Sequence, residues 1–319
     1  MNGKPKVEGM VKSLFSQAVW GCLLLACLAG GGCSVHRYAL NKASDAVAQS
    51  GTTYASDDDP ELVKAAAPFG LKLTESLLAE NPQHLGLLTS AASGFTQYSY
   101  AFVQAEADET EAQNFAAAEA MRVRARRLYL RAQGYGLRGL EVKHPGFGKA
   151  LSANPKVAVR AATKADVPLL YWTAAAWASA ISLSKDNPGL VGQIPAMEAL
   201  MDRALELDES YDNGAIHTFM ISYEMSRSGG AGDPAARARQ HFDRAMVLSK
   251  GTAAAPLVAL AEAVTIQKQD VKEFESLLNQ ALAINPDADP ATRLENTVMQ
   301  RRARWLLSRK SELFLIESK

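Results

Sequence analysis

The sequence predicts an all-α fold, a helical-repeat array built around one central buried helix. Three observations carry this. Apolar residues recur at helical spacing along the body of the chain, with no strand-like alternation and no clusters of Val, Ile and Thr. Helix-start signals, an Asp followed by Pro, stand at Asp59-Pro60, Asp233-Pro234 and Asp289-Pro290. The run from Val167 to Leu183 is uncharged and apolar on every side, as a helix surrounded by other helices requires.

The chain has 319 residues, a formal net charge of zero and 48% hydrophobic residues, which is a globular composition. A balanced charge gives no positive field for nucleic acid or a polybasic membrane contact, so partners are chosen by shape. All three cysteines, Cys22, Cys27 and Cys33, lie near the start. The cysteine-free body excludes a thiol nucleophile, a thiolate metal site and structural disulfides, and it suits an envelope compartment.

The elements follow in order. Lys4, Lys6 and Lys12 precede an apolar core from Leu14 to Leu28, a secretory signal pattern. Gly30, Gly31 and Gly32 then lead into Cys33, the arrangement of a bacterial lipoprotein whose cysteine sulfur is acylated. Residues 1–32 are read as a lipoprotein signal peptide and 33–319 as the helical-repeat domain, with Cys33 the lipidated residue. Leu24-Leu25-Ala26-Cys27 is the alternative junction, and a retained transmembrane anchor is a third reading. Ser34 after the cysteine, where no Asp retains the protein in the inner membrane, points to the outer membrane of a Gram-negative cell. The expected place is therefore the periplasmic face of the envelope.

Val35 to Ser50 reads as a first helix and Gly51 to Asp59 as a polar loop. Leu62 to Glu80 is amphipathic and ends at Asn81-Pro82. A partner helix runs from Leu85 to about Glu106, and a long unit from Glu111 to about Val142 breaks at His144-Pro145-Gly146. Its arginines, Arg122 to Arg131, read as a solvated face. A connector from Phe147 to Lys164 precedes the central helix, which Asp166 is placed to cap. The alternative for that helix, a membrane span, needs more length and fewer small residues. Beyond Pro188, helices are expected at Ala196 to Leu207, Asp212 to Ser226, Pro234 to Leu248, Ala254 to Gln267, Val271 to Ile284 and Pro290 to about Leu315. Asp270 with Glu273 reads as a capping box.

Three segments in this half superpose: Met201 to Asp208, Phe242 to Ser249 and Leu278 to Asn285. Each carries a small Ala (Ala204, Ala245, Ala281) flanked by large apolar residues. These alanines lie about 40 and then 36 residues apart, the period of helix-pair repeats. Pro286 ends its unit as tetratricopeptide repeats end theirs. Stacked pairs curve and present a concave surface for a protein or an extended ligand.

No catalytic constellation is present. His36, His84, His144, His217 and His241 are scattered without metal-ligand spacing, His217 reads as a core histidine, and Asp57-Asp58-Asp59 reads as a helix cap. The expectation is a non-enzyme with no cofactor and no metal. Aromatic residues are the candidates for a ligand surface: Phe95, Tyr98 and Phe102 on one face with Gln97 beside them and Tyr100 pointing elsewhere, and Tyr171, Trp172 and Trp177 on the central helix. Two readings stand, packed core or the lining of an apolar pocket.

Several strings carry a resemblance: Tyr54-Ala55-Ser56-Asp57-Asp58-Asp59-Pro60-Glu61-Leu62-Val63, Pro68-Phe69-Gly70-Leu71-Lys72, the run from Ala92 to Val103, Pro168-Leu169-Leu170-Tyr171-Trp172, Ser182 to Pro188, and Gln300-Arg301-Arg302-Ala303-Arg304-Trp305-Leu306-Leu307. Through them the chain from Cys33 onward resembles the T component of tripartite ATP-independent periplasmic (TRAP) transporter systems. The resemblance implies a tetratricopeptide-like outer-envelope lipoprotein that associates with a periplasmic solute-binding protein and passes a small apolar ligand to it. It allows a homo-oligomer, a trimer included. It also favours Cys33, although Gly30 stands where similar proteins have a larger residue. The competing reading is an envelope scaffold of helical repeats with no small-molecule ligand.

Overall fold

The computed structural model describes residues 37–315 and, among them, is 81% helix with no strand. The signal peptide and both candidate lipidation sites, Cys33 and Cys27, lie outside the described residues. The helices are α1 (37–48), α2 (Gly51–Ala55), α3 (Pro60–Glu80), α4 (Leu85–Tyr98), α5 (Phe115–Lys143), α6 (Phe147–Ala153), α7 (Pro155–Ala158), α8 (Val167–Ser182) and α9 (Pro188–Val191). They continue as α10 (Ile194–Leu207), α11 (Ala215–Glu224), α12 (Pro234–Leu248), α13 (Ala254–Leu260), α14 (Val271–Ala283), α15 (Arg293–Ser308) and α16 (Lys310–Leu313). Helix α4 runs on through a π-helical segment, Ser99–Gln104, into Ala105–Thr110, and α13 through Ala261–Thr265 into Ile266–Lys268.

Local chemistry explains most starts. Asp59 accepts from the backbone N–H of Glu61 and Leu62, with Pro60 in the first turn of α3. Asn114 caps α5, and His84 Nδ1 caps α4 by accepting from Leu87 N at 3.1 Å. Asp270 accepts from Glu273 N at 2.9 Å, but the Glu273 carboxylate does not return to close the expected box. It is held instead by Arg239 of α12, at 2.6 Å from Nη2.

Several expectations are corrected. Residues 51–55 are a helical turn rather than a loop, because the Tyr54 hydroxyl rests on the α3 backbone at Gly70. The connector 147–164 contains α6 and α7, the latter capped by Asn154. Asp166 does not cap α8. Fully buried, it accepts from Thr163 N at 2.8 Å and from His144 Nε2 at 3.1 Å, and it touches the Lys143 ammonium. The expected helix from Asp212 starts only at Ala215, and the last one is split into a 3-10 turn, α15 and α16.

The central helix is α8, and only Ser182 of it is exposed. It lies between α5, α10 and α4. Its closest crossing is with α5: a Cβ built on Gly136 would stand 1.9 Å from Thr173 Oγ1, and one on Gly139 2.6 Å from Leu169 Cδ2. Glycine at these two positions lets the backbones meet. No helix among the described residues is long and apolar enough to cross a membrane, so α8 is a core helix.

Three apolar cores run along the chain. The first joins α3, α4, α5 and one side of α8, the second joins α5 through α11, and the third joins α11 through α15. Ala204, Ala245 and Ala281 of the repeated segments are all fully buried. Each fully buried side chain such as Leu88, Leu170 or Leu278 contributes about 1.5–3 kcal/mol of transfer free energy.

The array does not stay open as a groove. Helix α15 returns to the N-terminal helices and closes the superhelix into a ring. Arg293 Nη1 donates to Ser56 O at 2.9 Å, Arg301 Nη2 to Glu109 at 2.6 Å and Arg301 Nη1 to Glu61 at 3.2 Å. Arg302 Nη1 reaches Asp108 at 3.0 Å, and Leu294 packs against the first core.

Candidate functional site: an enclosed aromatic and acidic cavity

Inside this ring lie side chains that water can touch although protein surrounds them. Tyr100, on the π-helical part of α4, is 42% exposed, yet burial pushes its hydroxyl up to about 12. Glu295 of α15 is exposed, yet burial and then the Asp212 charge push its carboxyl up to about 7. A group that is both wetted and desolvated lies in a concavity. The charges acting on these groups show which elements lie close by. Tyr100 feels Glu262, Arg302, Asp108 and Glu295, and Tyr171 feels Asp212, Glu295 and Tyr211. The elements near Tyr100 and Glu295 are thus α4, α8, α13, α15 and the turn before α11.

Tyr171, Trp172 and Tyr211 form an aromatic cluster. The Tyr171 ring centroid is 4.9 Å from Trp172, edge-on, and 5.5 Å from Tyr211. Burial raises the Tyr171 hydroxyl far above its ordinary value and the Tyr211 hydroxyl to about 12. The turn Tyr211–Gly214 has an unusual backbone, with φ of 46° at Asp212, 54° at Asn213 and 92° at Gly214. Asp and Asn tolerate the left-handed region better than other side chains, and such strain concentrates at functional positions. Burial alone raises the Asp212 carboxyl. Among the described residues, neither Asp212 nor Glu295 has a hydrogen-bond or ion-pair partner contributing to its ionisation. Arg302 is matched by Glu262, at 3.2 Å from Nε, and by Asp108. Both π-helical segments carry residues of this cavity, Tyr100 and Glu262.

The residues expected from sequence to form a ligand surface separate into two groups. Phe95, Tyr98 and Phe102 are buried in the first core. Phe95 stacks on Tyr135 at 6.1 Å beneath the Arg131 guanidinium, and Arg124 Nη2 donates to the Tyr98 hydroxyl at 3.3 Å. Trp177 is buried in the second core, with Nε1 donating to Gln193 at 2.9 Å. Tyr171 is buried in the second core too, with Trp172 and Tyr211 packed against it, and Gln97 is exposed, one helical turn before Tyr100. Sequence reasoning set Tyr100 apart from the face of Phe95, Tyr98 and Phe102, and it did not find Tyr211, Asp212, Glu262, Glu295 or Arg302. Only the Asp-Asn-Gly string at 212–214 signalled an unusual turn.

A second polar cluster joins α11, α12 and the loop after α10. His217 Nδ1 and His241 Nδ1 are 2.8 Å apart, so one ring donates and the other accepts. His217 Nε2 faces Glu209 at 3.4 Å, and Arg244 Nε donates to the same carboxylate at 3.0 Å. Burial lowers the pKa of both imidazoles, and His217 adds to the effect on His241. An open hollow of about 540 Å³, lined by Leu205 to Glu209, lies beside His217. No group of three or more His, Cys, Asp or Glu among the described residues is placed to hold a metal ion.

Comparison with known proteins agrees with this architecture. The family model described as TRAP transporter T-component matches residues 56–314. An uncharacterized protein of Treponema pallidum (strain Nichols) is 30% identical over 314 residues, covering 91% of this chain and 95% of its own length. The chain belongs to the TRAP transporter T-component family, an accessory part of TRAP transport systems.

Proposed function

We propose that this protein is a lipid-anchored adaptor that holds a small ligand inside its ring and exchanges it with a periplasmic solute-binding protein of a TRAP system. Cys33 is the acylated residue in this reading, and the body faces the periplasm from the outer membrane. What supports it is the concavity at Tyr100 and Glu295, two side chains that are exposed yet desolvated, close to the aromatic cluster of Tyr171, Trp172 and Tyr211. A scaffold with no ligand has no use for such a space, because an array of this length can fill its interior with side chains. Family membership supports the transport role, and the reading is of a non-enzymatic transport accessory.

The test is gentle solubilisation of membranes, purification of the native lipoprotein, and mass spectrometry of what travels with it. A TRAP solute-binding protein and a stoichiometric small molecule are expected, the latter lost from a Tyr171→Ala variant that still folds. Recovery of envelope-assembly proteins, with neither ligand nor solute-binding protein, would support the scaffold reading instead. Metabolic labelling with a radioactive fatty acid checks the anchor: Cys33→Ala should abolish incorporation and Cys27→Ala should not.

A further inference from the structure

We propose that one side of the body is a membrane-docking face: the outer surfaces of α1, α3 and α5 rest on an anionic phospholipid bilayer, with Arg124, Arg127, Arg131 and Arg138 on lipid phosphates and Leu62, Phe69 and Leu73 in the headgroup boundary. This goes beyond the lipid anchor proposed above and rests on it.

The chain's zero net charge hides a local imbalance. From Arg124 to Arg138, α5 holds five arginines and no Asp or Glu. Arg124, Arg127, Arg131 and Arg138 are exposed, and their spacings of three, four and seven place them on one helix face about 21 Å long. Among the described residues, Arg124, Arg127 and Arg138 have no carboxylate at ion-pair distance, and Arg131 shares Glu75, at 3.6 Å, with Lys72. Helix α4, packed against α5, carries no charged residue to answer them. The side chains lean on rings: the guanidinium of Arg124 is 5.8 Å from the Tyr98 centroid, Arg131 5.4 Å from Phe95 and Arg138 5.8 Å from Tyr135. Their heads stay at the surface, where a planar guanidinium matches phosphate oxygens two N–H groups at a time.

Beside this row, α3 turns an apolar stripe outward. Phe69 is 75% exposed, and Leu62 and Leu73 share its face. Glu75 joins the stripe to the arginines, accepting from the Tyr135 hydroxyl at 2.8 Å and from Lys72 Nζ at 2.6 Å. On the other flank of α3 stand α1 and α2, through the Asn81 to Asn41 bond of 2.7 Å and the Tyr54 hydroxyl at Gly70.

Position selects the occupant. Asn41 lies eight residues after Cys33 and is bonded to the end of α3, and Arg138 Nη2 donates to Pro82 O at 2.7 Å in the adjoining turn. The chain from Cys33 to Arg37 reaches at most about 14 Å. An acylated Cys33 therefore brings this corner, with exposed Arg37, Tyr38 and Lys42, to the bilayer surface. There each arginine gains attraction to anionic lipid that salt screens. An acidic protein would answer the arginines, but it gives no reason for their row to begin at the anchored corner.

The test uses the acylated lipoprotein in vesicles of phosphatidylcholine and phosphatidylglycerol, roughly three to one, doped with a nitroxide-headgroup lipid, and in the same vesicles without phosphatidylglycerol. With Cys33 acylated and Cys22 and Cys27 removed with the signal peptide, one introduced cysteine carries a fluorophore: Ala65→Cys on the α3 face, or Val247→Cys on α12. In the mixed vesicles the label at 65 should be quenched about threefold more strongly than that at 247, and the ratio should fall by about half or more without phosphatidylglycerol. Arg124→Gln, Arg127→Gln and Arg131→Gln together should bring the ratio near one, as should salt of about 0.5 M. The melting temperature checks the fold of that variant, and the lipid comparison on the native arginines stands without it. Equal quenching of the two labels, or a ratio indifferent to phosphatidylglycerol, would overturn the docking face. Fatty-acid labelling of Cys33 reports the anchor separately. Equal quenching together with an acidic protein that co-purifies, and is lost from the triple variant, would overturn the face by assigning the arginines to a protein.

Discussion

Two glycines in α5, two residues apart, should respond to alanine with opposite sign. Gly134 is exposed, with nothing within 4 Å of the added methyl, so Gly134→Ala should gain the usual helix-interior difference of about 0.5–1 kcal/mol. Gly136 faces the central helix. Its added carbon would stand 1.9 Å from Thr173 Oγ1, 2.9 Å from Thr173 Cβ and 3.3 Å from the Thr173 Cα. Turning the Thr hydroxyl away relieves only the first of these and breaks its 2.5 Å bond to Leu169 O. The helices must therefore separate, at an overpacking cost of about 1–3 kcal/mol, plus about 1 kcal/mol where the hydroxyl bond is lost. Subtracting the propensity gain leaves Gly136→Ala less stable by about 1–3 kcal/mol, or a fall of roughly 2–5 °C in melting temperature for a chain of this size. Thr173→Ala added to Gly136→Ala should recover part of that loss. Thermal unfolding followed by circular dichroism is the assay. The same sign for both single variants, or a neutral Gly136→Ala, would refute the proposed backbone contact between α5 and α8.

The other predictions concern charge. Glu295 keeps its proton in the folded state up to about 7, against 4.5 ordinarily, so stability falls as pH rises through that window. Glu295→Gln should raise the melting temperature above pH 7 and not near pH 4.5, and an equal gain at both ends would contradict the enclosure of Glu295. His217 and His241 are shifted the other way. Their contribution is full above the ordinary histidine value of 6.5 and is lost as pH falls below it, so a His217→Phe, His241→Phe double variant should show a shallower acid loss of stability. Arg302→Met strips Glu262 of its cation and leaves Asp108 with Arg122 alone, and urea unfolding should report a loss of about 2–4 kcal/mol, the site being only partly wet. A change below about 0.5 kcal/mol, typical of a surface pair, would mean that Arg302 does not hold the ring together.

Much of the helix plan was legible because its signals are local. Asp59-Pro60 fixes the start of α3 within three residues, and the all-round apolar pattern of Val167 to Ser182 requires a helix with neighbours on every side. The alanines at 204, 245 and 281 marked helix crossings because only a small residue fits there. What was not legible depends on separation along the chain. Arg301 meets Glu61 across 240 residues, and no period or motif announces that pairing, so closure was not foreseen. Asp166 carried a cap signature, yet Lys143, His144 and Thr163 compete for its oxygens more strongly than the helix N-terminus does. The aromatic run from Phe95 to Phe102 did not distinguish core from lining. Tyr100 reaches the cavity because the π-helical segment that begins at Ser99 rotates the chain relative to an ordinary helix.

The return of α15 onto α3 and the end of α4 changes how such an array can vary. A linear stack tolerates another helix pair at either end, and its interior surface simply lengthens. A stack whose last member must meet its first has a fixed circumference, so gaining or losing one pair alters the bore in a single step and parts Arg301 from Glu61 and Glu109. The number of pairs thereby becomes a size selector for whatever occupies the centre, set by topology before any lining residue is chosen.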